Sequence, residues 1–331
     1  MFNLKNLLRI VDPDPVLINQ QACLRARHVR SGCRACSDVC PPGAVGFSDR
    51  KLKVDAAVCV RCGLCLGACP TAALQVRGID EEALGDSAFI RCARAPGEGV
   101  ELPCLGALSP DHLIDLGSRR PGVTLVAGDC TLCPLSRGGE LAKASLAVAA
   151  ELLKALGVVE LPHWQNAGPA AEAPASRAVN RRELLTLWGS TAAQTGRSLL
   201  PDREVNPVRL PAKVPARRLR WLKRFAPPEH RERIAWPNRA VQPGCHGCSI
   251  CVNFCPTGAL TSRESGDGAW TLGFQAAACV DCKTCVGLCP RSVLQPAEAP
   301  ALSLVLGGGE IDLVTVPGSD RPLATGFRPT R

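Results

Sequence analysis

At 331 residues the chain exceeds one typical domain, so two or three folding units are expected, and the twenty cysteines dominate its composition. Aromatic residues make up 4% with no tyrosine, so a core of Ala, Val and Leu is expected to need help from bound groups. The net charge of +9 arises between residues 177 and 239, where 15 Lys/Arg face 5 Asp/Glu. The rest of the chain is close to neutral, so this basic stretch can balance negative charge held elsewhere and does not by itself require nucleic acid. No window approaches the roughly 18 apolar residues of a membrane span. The N-terminal segment breaks at Asp12-Pro13-Asp14-Pro15 without a secretory-type apolar region. The expected location is a reducing compartment, the bacterial cytoplasm.

In chain order, residues 1–20 read as an N-terminal arm. The unit at 21–78 holds an incomplete cysteine run, Cys33-x2-Cys36-x3-Cys40-Pro41, and a complete one, Cys59-x2-Cys62-x2-Cys65-x3-Cys69-Pro70. Between them, Val45-Gly46-Phe47, a turn at Ser48-Asp49-Arg50 and Leu52-Lys53-Val54 alternate at strand period and predict a hairpin. Residues 79–165 predict short buried strands at Ala88–Arg91, Val100–Leu102 and Val123–Val126. They also predict helices at Pro110–Leu116 and Glu140–Leu156, the second stopped by Gly157. That alternation reads as a small α/β domain with parallel strands.

Residues 166–239, rich in Ala, Pro and Arg, read as a linker or an arm draped over a partner. Within them the basic run Arg217–Arg224 around Trp221 reads as a solvated docking arm. The unit at 240–297 repeats the first, with both runs complete. They are Cys245-x2-Cys248-x2-Cys251-x3-Cys255-Pro256 and Cys279-x2-Cys282-x2-Cys285-x3-Cys289-Pro290. A hairpin is expected there from Ala259-Leu260, the turn Gly266-Asp267-Gly268 and Trp270-Thr271-Leu272. Residues 298–331 read as a C-terminal tail with one strand, Ile311–Val316.

C-x2-C repeats in a chain this long point to metal rather than disulfides. Three cysteines at successive two-residue gaps wrap one tight loop around an inorganic centre, and the proline ends that loop and sends the fourth cysteine to a neighbouring site. A zinc ribbon would use paired C-x2-C knuckles instead, and a c-type haem would need C-x-x-C-H, which no C-x2-C here provides. Over roughly a third of the chain, these runs resemble the two-[4Fe–4S] bacterial-type ferredoxin family. The resemblance implies a hairpin-and-helix fold for each module; with the small α/β domain that the two ferredoxin-like dicluster modules flank and the long irregular basic linker, the expected fold class is α+β. The resemblance also implies one-electron transfer between adjacent clusters.

Carried over residue by residue, the C-terminal module holds one cluster on Cys245, Cys248, Cys251 and Cys289. It holds another on Cys279, Cys282, Cys285 and Cys255. The N-terminal module holds one on Cys59, Cys62, Cys65 and Cys40. Its second site has Cys33, Cys36 and Cys69, but Arg30 stands where the first cysteine of the run belongs. Cys23 is the expected fourth ligand; the alternatives are a three-iron cluster, a lost site, or Cys23 as a buried free thiol.

The middle domain adds Cys92, Cys104, Cys130 and Cys133. The first three fall at or just after strand ends, and carboxyl ends of parallel strands share one edge, so these residues can converge. The segments Leu102–Gly106 and Ala127–Cys133 resemble the delta subunit of methyl-viologen-reducing hydrogenases. That resemblance implies a fifth iron–sulfur cluster, [4Fe–4S] or [2Fe–2S], with a zinc site or structural thiols as alternatives. Four ligands at each of five sites uses every cysteine.

The five histidines do not group with carboxylates in the sequence, and Asn180–Leu185 only superficially looks like a twin-arginine signal. With many cofactor ligands and no substrate motif, the expected role is a non-catalytic electron-transfer subunit. It would relay single electrons between a catalytic oxidoreductase, of formate dehydrogenase or hydrogenase type, and another carrier such as a small ferredoxin. An iron–sulfur nucleic-acid-binding protein and an oxidoreductase assembly factor are the alternatives.

Overall fold

The computed structural model describes residues 14–28, 31–81, 83–167, 210–225 and 232–320. Asn180–Leu185 lies outside them, as does Arg30.

The first module begins before its expected boundary. Strand β1 (Val16–Ile18) pairs antiparallel with β4 (Leu74–Val76), placing Val16 opposite Val76 and Ile18 opposite Leu74. Residues 16–20 therefore belong to the module and not to an arm; a three-residue strand is too short to announce itself by alternation. Between β1 and β4 lie α1 (Leu24–Arg27), α2 (Ala35–Asp38), the hairpin β2 (Val45–Ser48) and β3 (Lys51–Val54), and α3 (Leu64–Ala68). Asp49 and Arg50 carry the hairpin turn with φ of 50° and 63°, the left-handed pair that matches the twist of the flanking strands.

The middle of the chain is a four-stranded sheet in which all pairings are parallel. Its strands are β5 (Phe89–Cys92), β6 (Val100–Leu102), β7 (Thr124–Ala127) and β8 (His163–Asn166), in the order β6-β5-β7-β8. The fourth strand was not expected; His163-Trp164-Gln165-Asn166 has no apolar run to signal it. Helices α4 (Pro110–Arg119) and α5 (Arg137–Ala155) complete the crossovers. Ile90, Leu113, Val123, Leu125 and Leu153 form a fully buried core between them. Pro110 opens α4, where its missing N–H costs nothing, and the Ser109 backbone N–H donates to His112 Nδ1 at 3.0 Å.

The basic run is not a solvated arm. Helix α6 (Ala216–Leu222) packs on α4, with Trp221 and Leu222 fully buried. Its arginines meet an acidic face: Arg218 pairs with Asp111, Arg220 and Arg224 with Asp115, and Arg217 with Glu81. His112 also reaches Glu81 at 3.2 Å, so one histidine does join a carboxylate cluster. Acidic and basic partners here are 105 to 136 positions apart in the chain, beyond any local pattern.

The second module repeats the first. Strand β9 (Arg239–Val241) pairs antiparallel with β12 (Leu294–Pro296), around α7 (Ile250–Asn253), β10 (Leu260–Glu264), β11 (Trp270–Gln275) and α8 (Thr284–Leu288). The expected tail is largely structured as well. Helix α9 (Leu302–Gly307) buries Leu302, Val305 and Leu306, and β13 (Glu310–Val316) adds a third strand to the β10–β11 hairpin. Thr271 and Thr315 hydroxyls meet across that new pair at 3.0 Å. No helix among the described residues is long and apolar enough to cross a membrane.

Candidate metal centres

The ladders decide which cysteines meet. β1 and β4 carry the chain so that Asn19 N–H donates to the Ala73 carbonyl at 2.8 Å and Cys23 N–H to the Asn19 carbonyl at 3.2 Å. Cys23, Cys33, Cys36 and Cys69 then line one pocket. Cys40, Cys59, Cys62 and Cys65 line a second. Cys92, Cys104, Cys130 and Cys133 line a third, at the carboxyl edge of the parallel sheet.

Cys23 thus occupies the place that Cys245 holds in the second module. Each follows the first strand of its module, β1 or β9, and each of those strands pairs with the strand that follows the last cysteine. In the second module the Gln242 N–H donates to the Val293 carbonyl at 2.8 Å, which brings the Cys289 end of the chain back beside Cys245. Cys245, Cys248 and Cys251 lie within reach of one another's charge, as do Cys255, Cys279, Cys282 and Cys285. The five groups are called below the Cys23, Cys40, middle, Cys255 and Cys245 sets.

Burial dominates the thiol chemistry. It pushes Cys36, Cys65, Cys251 and Cys279 up to about 12 and Cys104 up to about 11. Neighbouring thiols add to the rise at Cys36 and Cys65, because one thiolate disfavours the next. At Cys289 burial also raises the thiol, but backbone N–H groups of Leu294, Arg291, Val293 and Ser292 outweigh it and hold the value below that of an ordinary cysteine. A thiol raised in this way can ligate a metal only once a cationic centre supplies the charge that deprotonation requires.

Backbone donors surround the sulfurs. Ala73 N–H points to Cys69 Sγ at 3.3 Å, Gly128 N–H to Cys92 Sγ at 3.2 Å and Leu135 N–H to Cys133 Sγ at 3.4 Å. Among the described residues, no group of three or more His, Cys, Asp or Glu is set closely enough to hold a single metal ion. A lone zinc draws four sulfurs to about 2.3 Å from one point. Four thiols line each of the three pockets, and an all-cysteine donor set suits an iron–sulfur cluster.

Three features near the thiols have no counterpart in the sequence reading. Arg239 is 3% exposed, pairs with Asp281 at 2.8 Å, and lies against the Cys279 and Cys285 thiols. Gly138 and Gly139, at the start of α5, leave room for sulfur: a Cβ there would stand 2.2 Å from Cys104 Sγ and 2.8 Å from Cys130 Sγ. The paired glycines of Arg137-Gly138-Gly139-Glu140 are a visible signal, since glycine weakens a helix that it does not serve. Arg239 offers no such signal, because only the fold brings it to its cysteines.

A family described as a 4Fe-4S dicluster domain matches the chain twice, at residues 30–73 and 244–293. Cys23 lies outside the first match, and the middle set lies outside both. No curated protein matches the chain. These two stretches carry the ferredoxin-like dicluster character of the molecule, on a mixed helix-and-strand fold.

Proposed function

We propose that this protein is a five-cluster electron-transfer subunit. Four [4Fe–4S] clusters would be held by the Cys23, Cys40, Cys255 and Cys245 sets, and a fifth iron–sulfur cluster by the middle set. The observation that carries this reading is the convergence of four thiols on each of three pockets, two of them in the first module, whose residues 30–73 match the dicluster family, and one outside the match. When bound, such clusters exchange single electrons without making or breaking substrate bonds. The chain's part is to supply thiolates, to aim backbone N–H groups at sulfur and to exclude water, all of which set the potential of each site.

The resemblance of Leu102–Gly106 and Ala127–Cys133 to a hydrogenase delta subunit supports a hydrogenase or formate dehydrogenase as the catalytic partner, with a small ferredoxin as a further carrier. A reducing cytoplasmic setting is part of the same reading. Nucleic acid is disfavoured, because the arginines of α6 are engaged with Glu81, Asp111 and Asp115 of the same chain.

Anaerobic purification should yield about twenty irons and a similar number of acid-labile sulfides per chain, if every site takes a four-iron cluster. Reduction should give an EPR envelope of several interacting centres. Zinc in place of iron, or fewer than about eight irons after anaerobic reconstitution, would reject the proposal.

A further inference from the structure

The spacing of the first module departs from that of the second ahead of Cys33, and that departure does structural work. Between Cys23 and Cys33 the chain inserts α1, and α1 touches the second module. Arg27 Nη2 donates to the Asn253 carbonyl at 3.3 Å, and the His28 and Phe254 rings meet edge to face with centroids 4.4 Å apart. Phe254 immediately precedes Cys255. On the same side, the Cys33 and Cys282 thiols lie within reach of each other's charge. The insertion therefore sets the Cys23 set beside the Cys255 set.

A second junction joins the first module to the middle sheet. Val39, Cys62, Leu64 and Cys104 form one buried apolar cluster, so ligands of the Cys40 set and the middle set share a contact. Glycines bring these backbones together. A Cβ on Gly67 would stand 2.2 Å from the Gly106 carbonyl oxygen, and one on Gly106 would stand 2.7 Å from that of Gly138. Arg137 Nη1 also donates to the Asp38 carbonyl across this junction. Within the modules, α2, which carries Cys36, packs on α3, which carries Cys65, and α7, which carries Cys251, packs on α8, which carries Cys285.

Burial follows the same line. All four cysteines of the Cys245 set and three of the middle set are partly exposed. The three remaining sets are more deeply enclosed, with two buried cysteines in the Cys40 set and three each in the Cys23 and Cys255 sets. Beside the middle set, Leu132 stands 78% exposed between Cys130 and Cys133.

We infer that the chain arranges its five thiol sets in one unbranched row, in the order middle, Cys40, Cys23, Cys255, Cys245, with the two least buried sets at its ends. The inference rests on the proposed function for its meaning. A one-electron donor protein, such as a reduced iron–sulfur or flavin protein, docks at one end and is oxidised by one electron. A one-electron acceptor protein docks at the other end and is reduced by one, with no bond made or broken in between. Helix α1, His28 and the glycines at 67, 106 and 138 are the positioning elements that make the row continuous.

Pulsed dipolar EPR on the reduced, full-length, reconstituted protein tests the order. The centre in the middle set should have one near neighbour; two near neighbours would overturn the row. Cys36→Ser, which removes a ligand from the central set, should leave two pairs of centres whose mutual spin coupling is several-fold weaker than that between neighbours. A strong coupling that persists between the middle set and the C-terminal sets in Cys62→Ser protein would also overturn it. If either variant fails to fold, the neighbour count in the unaltered protein still decides. A preparation that binds no iron or sulfide refutes the functional reading, whereas a fully loaded protein with the wrong neighbours refutes only the order.

Discussion

Arg218 grips Asp111 through two nitrogens, Nε to Oδ1 and Nη2 to Oδ2, each at 3.0 Å, and both residues are buried. Trp221 Nε1 adds a third donor to the same carboxylate at 3.1 Å. Burial would raise the Asp111 carboxyl, but Arg218 and Arg217 outweigh it and hold the group below its usual value. The Arg218 guanidinium also donates to the Cys279 carbonyl and lies over the Trp236 ring at 4.7 Å. One side chain thus joins the middle domain to the loop that carries the Cys255 set. Asp111→Ala leaves that guanidinium buried without its counter-charge, and the expected loss of stability is about 3–5 kcal/mol. Anaerobic urea unfolding followed by cluster absorbance measures it. A loss below about 1 kcal/mol would show that the brace contributes little.

Arg239 is expected to tune one site. Its positive charge lies against Cys279 and Cys285 and favours the more negative, reduced state of whatever those thiols hold. Arg239→Gln also takes from Asp281 its closer partner, leaving it only Lys283 at 4.0 Å, which acts in the same direction. The potential of one centre should fall, on the order of 100 mV, since charges a few ångströms apart interact by a few kcal/mol at an effective dielectric of about 20. A potentiometric EPR titration in which every centre keeps its midpoint would remove Arg239 from that role.

Cys23→Ala separates the readings of the fourth ligand. If Cys23 completes its set, the variant loses one iron, giving a three-iron centre, or about four irons when the whole cluster is lost. Cys133→Ala should act independently and lower the count at the middle set, because the two cavities share no lining residue. An unchanged iron content in the Cys23 variant would assign its thiol to packing alone.

Gly138→Ala should reverse the usual effect of removing a helical glycine. In an open helix that change stabilises by up to about 1 kcal/mol, and Gly287 in α8, with nothing within 4 Å of a built Cβ, is the matched control. At Gly138 the new methyl group would stand 2.2 Å from Cys104 Sγ. The expected outcome is loss of the middle-set cluster, with the dicluster modules still loaded. Iron counts together with EPR of the two variants supply the comparison.

Much of the candidate chemistry was local and therefore legible. Spacings such as Cys59-x2-Cys62-x2-Cys65 describe one loop, and a loop's ligand geometry is fixed by a few consecutive residues. The three expected strands of the middle sheet lie within a residue of β5, β6 and β7 for the same reason, since short apolar runs bounded by Gly and Pro are local signals. The sequence could not reveal that Arg217, Arg218, Arg220 and Arg224 would fold onto Glu81, Asp111 and Asp115. A basic run reads as solvated until its partners are brought from another part of the chain.

By itself, the order of amino acids determined the donor type, the repeat of the dicluster modules and the loops that present their thiols, because all three depend on intervals of two or three residues. Tertiary structure decided the seat of Cys23, the sharing of one apolar cluster by Cys62 and Cys104, and the junction of α1 with the second module. Those relationships depend on strand ladders and on backbones that approach closely at glycine. They are settled only when distant segments pack, so no interval along the chain records them.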